Sequence, residues 1–399
     1  MKKRQALLLC FSTVVLLVII YSGCIGTNIN QRGIVRGRVI EENGPLEGVR
    51  VEEGESVVFT DSSGTFLLEN VPSGNQYLFF SLPGYTGAFV KVVVEKGTEV
   101  SIPPDGTISL LPESEESLYE YLASLYQYGF YERSLAEAEK FLAKYPGSPL
   151  VSNVIFMQGA SYYYLGDYSS SINILSDLVN RYPSSDFADD GQYLLAKGLG
   201  QGLSRWSDAI QAYQKLIYNY PQSELVGIAY YETGDCYYIL ESYSNASVAY
   251  DQARSYGGEV EKKAIYGLAH CYYKLELYYK AASLFAEYIQ KYPNDEFADD
   301  SQYFEGASWY RRENYSEALT AFDKSITNYP DGTWYNGILI APASMFNKGL
   351  CLEKLGRYLE AYQTYLEIIR KYPGAKWADG TSLIYSAQFR INLLKDTVL

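Results

Sequence analysis

One histidine, His270, occurs in 399 residues. That scarcity excludes a metal centre built on two imidazoles and leaves little material for a histidine-based triad, so His270 reads as a solvated or packed helical residue. Cysteine is nearly as sparse. Of the five, Cys10 and Cys24 lie in the N-terminal segment, while Cys236, Cys271 and Cys351 form an odd set without CxxC spacing. Neither zinc nor a disulfide framework is indicated, and these three are expected to be buried, unpaired residues. Basic residues are outnumbered, 33 against 47 acidic, for a formal charge of −14. A duplex-binding protein needs clustered Lys and Arg to displace counterions, so nucleic acid is not expected as a partner. What is plentiful is apolar and aromatic: 47% hydrophobic residues, ample for the cores of two or three domains, and 42 tyrosines whose placement needs an explanation.

The first 26 residues, MKKRQALLLCFSTVVLLVIIYSGCIG, combine a basic start, an apolar run from Ala6 to Tyr21 and small residues before Cys24. This reads as an export signal. Sixteen helical residues span roughly 24 Å, short of a hydrocarbon core of about 30 Å, which makes a transmembrane helix the weaker reading. Ser22-Gly23-Cys24 resembles the lipobox of prokaryotic lipoproteins, and the resemblance implies lipidation at Cys24. Tyr21 stands where that motif usually carries an aliphatic residue, so an uncleaved anchor is the alternative. Residues 1–23 are thus a signal peptide or membrane anchor, residues 24–32 a linker, and the protein is expected to be membrane-anchored and extracytoplasmic.

From residue 33 to 111, short alternating runs (IVRGRVI, SVVFT, TFLLENV, QYLFFSL, FVKVVVE) are separated by NG, DSSG, PSG and PG. Six or seven strands at this spacing predict an antiparallel β-sandwich. The order of these segments resembles the carboxypeptidase regulatory-like, transthyretin-type domain. In that resemblance Thr60, Asp61 and Gly64 form the turn before TFLL, and Pro83-Gly84-Tyr85 closes a later one. Gly64 supplies a left-handed turn residue and Asp61 a bond to the turn backbone. The family has no activity of its own, and here it is expected to hold the C-terminal part of the chain away from the membrane.

The remainder is periodic. Pro146, Pro183, Pro221, Pro293, Pro330 and Pro373 each follow a tyrosine, and Gly258 fills the one missing place, giving steps of 37, 38, 37, 35, 37 and 43 residues. Fifteen residues before each mark stands Tyr131, Tyr168, Trp206, Tyr243, Tyr278, Tyr315 or Tyr358, and a small residue follows three later. Nine residues before the aromatic come Gly159, Gly234, Ala269, Gly306 and Gly349. Small residues suit close helix crossings, aromatics fill the gaps, and proline stops the second helix. This order resembles the tetratricopeptide repeat, in seven copies over residues 115–373. The YPxSxFADxxxY spacing is similar to the repeat subtype of bacterial outer-membrane assembly lipoproteins and the Tol-Pal coordinator protein. The expected fold is therefore multidomain: an N-terminal antiparallel β-sandwich followed by an all-α tetratricopeptide-repeat solenoid, with residues 377–396 as a capping helix.

Three local features carry their own expectations. Asp189-Asp190 and Asp299-Asp300 fall in the first turn of a helix, where the dipole favours carboxylates. KGLGQGLSRW, residues 197–206, adds one residue and three glycines; no strand precedes it and no Lys-Ser/Thr follows, so it reads as a weak point and not a phosphate loop. Around DGTWYNGILIAP six extra residues predict a projecting aromatic loop.

At the fifth position of each first helix stand Tyr119, Phe156, Tyr193, Tyr231, Tyr266, Tyr303 and Phe346; seven residues on come Tyr126, Tyr163, Tyr238, Tyr273 and Tyr310. Tyrosine joins a large apolar face to a hydroxyl and suits half-wet binding surfaces. These rings either pack between helices or line a groove that binds a protein or peptide partner. The function expected is a non-catalytic envelope scaffold without cofactor or metal; the alternative is a carbohydrate-binding protein using the same aromatic ladder. No nucleophile, base and oxyanion-stabilising groups converge by spacing to suggest an enzyme.

Overall fold

The computed structural model describes residues 32–398, apart from the side chains of residues 103–106. Cys24 and the leader expected over residues 1–23 lie outside the described residues. The chain divides into two compact units at residues 191 and 192.

The first unit opens with eight strands: β1 (Arg32–Glu41), β2 (Gly44–Pro45), β3 (Arg50–Glu53), β4 (Ser56–Phe59), β5 (Thr65–Pro72), β6 (Gly74–Ser81), β7 (Ala88–Val94) and β8 (Glu99–Ser109). One sheet has the order β2-β1-β5 with β8 also on β1, and the other runs β4-β3-β6-β7. Inward residues at period two, among them Val35, Val39, Phe66, Leu68, Phe80 and Val92, form the core. Asp61 closes the turn as expected: its Oδ1 accepts from the backbone N–H groups of Ser63 and Thr65, both at 2.9 Å. Gly64 has φ +75°, and a Cβ there would lie 2.3 Å from the Val39 carbonyl oxygen. The antiparallel expectation needs one correction. β8 pairs parallel with β1, from Ile34↔Glu99 to Ile40↔Ser109, because the chain crosses from β7 in the other sheet and does not return by a hairpin. Turn spacing marks strand ends; it does not say which sheet a strand joins.

Fifteen α-helices come next among the described residues, as seven consecutive pairs and a last one. They are α1 (Glu115–Gln127) and α2 (Tyr131–Lys144), α3 (Val151–Tyr164) and α4 (Tyr168–Arg181), α5 (Ala188–Lys197) and α6 (Trp206–Asn219), α7 (Val226–Ile239) and α8 (Tyr243–Arg254), α9 (Gly258–Lys274) and α10 (Tyr278–Lys291), α11 (Ala298–Arg311) and α12 (Tyr315–Asn328), α13 (Ala341–Lys354) and α14 (Tyr358–Lys371), and finally α15 (Leu383–Val398). The polar start PESEES caps α1, with Ser114 Oγ accepting from the Ser117 N–H at 3.1 Å. Within each pair the chain turns through one left-handed residue: Gly129, Gly166, Ser204, Glu241, Glu276, Glu313 and Gly356. A left-handed residue just past a helix end satisfies the last carbonyls and frees the chain to reverse.

The β-domain is fused to the first pair. Phe79 and Phe89 on the outer face of the second sheet form an aromatic cluster with Tyr121 and Phe130, centroids of Phe79 and Phe130 lying 4.9 Å apart. Arg133 sits 3.8 Å over the Phe79 ring and pairs with Glu52 at 2.5 Å, beside a cavity of about 380 Å³. Gly87 permits the contact, since a Cβ there would meet the Tyr121 ring at 2.5 Å.

In the second unit, the extra residue of KGLGQGLSRW is absorbed by a wider helical turn over Gly198–Gly202, where the Leu203 N–H bonds the Gly198 carbonyl five residues back at 3.0 Å. An insertion inside a helix is commonly accommodated in this way. Gly200 is buried against Trp206 and Ala209, so the segment is packed and not a loose end. The loop around DGTWYNGILIAP also departs from expectation. Only Tyr335 projects, at 99% exposure, while Trp334 folds back onto Tyr303 with centroids 4.9 Å apart. An indole is too large an apolar surface to leave in water when a ring lies within reach.

Residues 377–382, expected as helix, form a second copy of that loop. The Trp334 backbone N–H bonds the Ile338 carbonyl at 2.8 Å and the Trp377 backbone N–H bonds the Thr381 carbonyl at 2.9 Å; Gly337 and Gly380 both have positive φ. The terminal helix starts only at Leu383.

Candidate functional site

The seven rings of the expected ladder all lie on the first helices of the pairs. Phe156 and Phe346 are buried, and Tyr119, Tyr193, Tyr231, Tyr266 and Tyr303 are half-buried. Six of them meet a ring on the second helix of their own pair: Tyr119–Phe141, Tyr193–Tyr213, Tyr231–Tyr250, Tyr266–Phe285, Tyr303–Phe322 and Phe346–Tyr365, at 5.3 to 6.5 Å. The planes are inclined by 45 to 76°, so the rings meet tilted or edge-on. The seventh, Phe156, stacks on Phe187 at 4.8 Å.

Their hydroxyls reach the next pair. Asn153 donates to the Tyr119 hydroxyl at 3.2 Å, Tyr193 donates to Glu232 at 3.4 Å, Tyr266 donates to Asp300, and Asn347 donates to the Tyr303 hydroxyl at 2.9 Å. One ring therefore packs inside its pair and links to the following one. That dual contact requires tyrosine, since phenylalanine supplies no polar tip.

The second row behaves differently. Tyr126, Tyr163, Tyr238, Tyr273 and Tyr310 are half-buried, and each meets the tyrosine that opens the second helix five residues later, edge-on at 5.2 to 6.1 Å. The partners Tyr131, Tyr168, Tyr243, Tyr278 and Tyr315 are the aromatic column that defines the sequence period.

Between the rings lie carboxylates whose significance spacing alone does not reveal. Asp300 opens α11 as expected, yet burial, only partly offset by the Tyr266 hydrogen bond, pushes its carboxyl up to about 6. Desolvation outweighs the helix dipole here. Its Oδ1 is buried without a hydrogen-bond partner among the described residues. Asp235, bonded by the Tyr250 hydroxyl, is likewise raised by burial to about 6. Asp299 accepts from the Thr333 N–H at 2.9 Å and so fixes the start of the inserted loop. His270 is packed, its ring 4.4 Å from Tyr266, 5.0 Å from Phe285 and 4.7 Å from Phe304, and burial lowers its pKa to about 3. A neutral imidazole enclosed by three rings serves as core. Cys236, Cys271 and Cys351 are buried free thiols.

One ladder position escapes the proline count. Tyr303, Phe346 and Phe389 are spaced evenly at 43 residues, and Trp334 and Trp377 each lie 31 residues after the first two. Trp377 packs on Phe346 at 5.0 Å as Trp334 packs on Tyr303. The repeated Trp-x-Asn/Asp-Gly is the signal that places Phe389 in the series.

Comparison with known families agrees with this arrangement. Residues 190–223, 263–295 and 343–375 match the tetratricopeptide repeat model, and residues 110–197 match the YfiO outer membrane lipoprotein model. No curated protein matches. Among solved structures, the C-terminal part of a tetratricopeptide-repeat protein from Cytophaga hutchinsonii is 17% identical, covers 66% of this chain and 100% of its own, and superposes with a TM-score of 0.51. A tetratricopeptide-repeat protein from Parabacteroides merdae is 14% identical over 70% of this chain and 98% of its own, TM-score 0.43. At 17% identity the likeness to the Cytophaga hutchinsonii protein is one of fold alone. The chain carries an N-terminal β-sheet domain followed by tetratricopeptide repeats, with a segment at residues 110–197 similar to the outer membrane lipoprotein family, and both families point to a protein-interaction scaffold.

Proposed function

We propose that this protein is a non-catalytic scaffold, anchored in a membrane through a lipid on Cys24 and exposed in the extracytoplasmic space of the cell envelope, whose first-helix faces bind protein or peptide partners. The β-domain, read as a transthyretin-type module, serves to hold the repeats away from the membrane. The observation that carries the reading is the row of half-buried tyrosines, Tyr193, Tyr231, Tyr266 and Tyr303, with Tyr238, Tyr273 and Tyr310 beside it. Each is half-buried, with its position held by a second-helix ring, and pre-organised tyrosines of this kind lower the ordering cost of binding. The match of residues 110–197 to an outer membrane lipoprotein family supports the envelope location.

A sugar ring stacks on a bare, flat face. Tyr231, Tyr266 and Tyr303 have tilted or edge-on neighbours within 6.5 Å, which favours a peptide over a glycan. The test is site-specific photocrosslinking in native membranes, with a photoreactive residue in place of Tyr238, Tyr273 or, as control, Tyr335. Discrete protein adducts at the first two and none at the third are expected; adducts at all three alike, or none, would overturn the proposal. The anchor is tested separately: intact-mass measurement should find a chain starting at Cys24 with added lipid, and Cys24→Ser should abolish membrane association.

A further inference from the structure

Between the second sheet and the first helix pair lies a cavity of about 380 Å³ in which the proposed scaffold role has no part. It falls in the size range of small-molecule sites, roughly 300–1,000 Å³. Its wall takes Arg50 and Glu52 from β3, Tyr121 from α1, and Arg133, Glu137 and Lys140 from α2, the last three at helical spacing on one face. Both oxygens of Glu52 are engaged: Arg50 pairs with one and Arg133 with the other, the latter at 2.5 Å. Lys140 is drawn to Glu113, and its ammonium group stays 3.8 Å from Glu137. Glu137 is thereby left over. Its Oε2 is buried with no hydrogen-bond partner among the described residues, and burial, only partly offset by Lys140, raises its pKa above the ordinary value. Tyr121 is a second unused group, because the residue is only 5% exposed and its hydroxyl bonds to none of the described residues. Buried polar groups are ordinarily hydrogen-bonded, so these two are the ones a ligand would engage.

We infer that this cavity binds a small zwitterion, a free α-amino acid, whose ammonium group donates to Glu137 and the Tyr121 hydroxyl while its carboxylate accepts from Arg133 and Arg50. Each guanidinium carries five N–H donors and gives only part of them to Glu52. An α-amino acid presents both charges from a single carbon. Arg133 and Glu137 are four residues apart on α2, which sets their Cβ atoms about 5–6 Å apart, so the wall reads both signs at short range. Ions of one sign fit worse. Inorganic phosphate would face the carboxylates of Glu52 and Glu137, and a simple amine would face two arginines and Lys140. A polyol offers Glu137 only neutral donors, whereas hydrogen bonds with both partners charged are the stronger kind. The tyrosine rows contribute nothing to this wall, so the site is independent of whatever they bind.

Isothermal titration calorimetry of the full-length protein in detergent, against the common α-amino acids one at a time, is the test. At least one should bind saturably. Its N-acetyl derivative, which lacks the ammonium charge, and its methyl ester, which lacks the carboxylate, should each bind about tenfold more weakly or worse. Glu137→Gln keeps the size of the side chain and should weaken binding by about tenfold or more, Tyr121→Phe by about threefold, and Tyr335→Ser not at all. Circular dichroism melts report folding, and Tyr121→Phe serves if Glu137→Gln does not fold. Failure of every amino acid to bind overturns the inference, and glucose or inorganic phosphate binding in their place would make this a polyol or an anion site. Binding undiminished by Glu137→Gln and Tyr121→Phe, or an N-acetyl derivative as tight as its parent, overturns it equally.

Discussion

Tyr266 donates a hydrogen bond to Asp300, 34 residues further on, and so ties the first helix of one pair to the first helix of the next. The acceptor is a carboxyl whose pKa burial has raised from 3.8 to about 6, and the donor ring packs on His270, whose pKa burial has lowered from 6.5 to about 3.

These two groups oppose each other as pH falls. The folded state binds the Asp300 proton more tightly than the unfolded state, so its contribution is full below pH 3.8 and is lost as pH rises through about 6. His270 contributes above pH 6.5 and loses that contribution as pH falls towards 3. Asp300→Asn should therefore steepen the acid destabilisation of the protein between pH 6.5 and 4, by on the order of 2 kcal/mol, and His270→Gln should flatten it. Urea denaturation at intervals of half a pH unit is the measurement. Equal pH slopes for Asp300→Asn and wild type would remove Asp300 from the account.

Tyr266→Phe keeps the ring and removes the hydroxyl. It should cost about 1–3 kcal/mol at pH 7, where the Asp300 carboxylate loses the donor that holds it, and less at pH 4.5, where the carboxyl is protonated. Tyr303→Phe, whose partner is the neutral Asn347, should show no such pH dependence.

Glu241, Glu276 and Glu313 occupy the left-handed turn position that Gly129, Gly166 and Gly356 fill elsewhere. Replacing each by glycine should raise stability by up to about 1 kcal/mol, since the steric cost of a side chain at positive φ exceeds the entropy that glycine adds to the unfolded chain. The three should add, being far apart in sequence and without shared partners. Thermal melts of the single and triple variants check this.

Arg133 joins the β-domain to α2 through the Phe79 ring and Glu52. Both contacts are partly solvated, so Arg133→Ala should cost only about 1–2 kcal/mol. Lysine should restore less than half of it, lacking the planar face that lies on Phe79. Limited proteolysis should then cut first between residues 110 and 115, a change visible by mass spectrometry.

In full-length protein with Cys10 and Cys24 replaced by serine, Cys236, Cys271 and Cys351 should react with a thiol reagent only after denaturation. All three are buried, and burial pushes each thiol up to about 12. Rapid labelling of the native state would contradict the packing described.

The repeat array was legible because most pairs solve one packing problem with the same local spacing: a glycine or alanine at the crossing, a ring on each helix, a proline at the end. Turn chemistry did the same for the β-domain, and Asp61 and Gly64 act as their residue types demand. Other properties depended on what a distant segment supplies. β8 chose its sheet by crossing over from β7, Trp334 folded inward because Tyr303 lay within reach, and Asp300 became a buried acid bonded by the Tyr266 hydroxyl of the preceding pair. The proline count also ended one unit early, so Phe389 read as part of a capping helix and not as a member of the aromatic series. Local spacing determines which helices form and how they pair; the environment of a side chain, and with it the charge it carries and the surface it leaves open, is decided by residues 30 to 40 positions away that only the tertiary fold brings alongside.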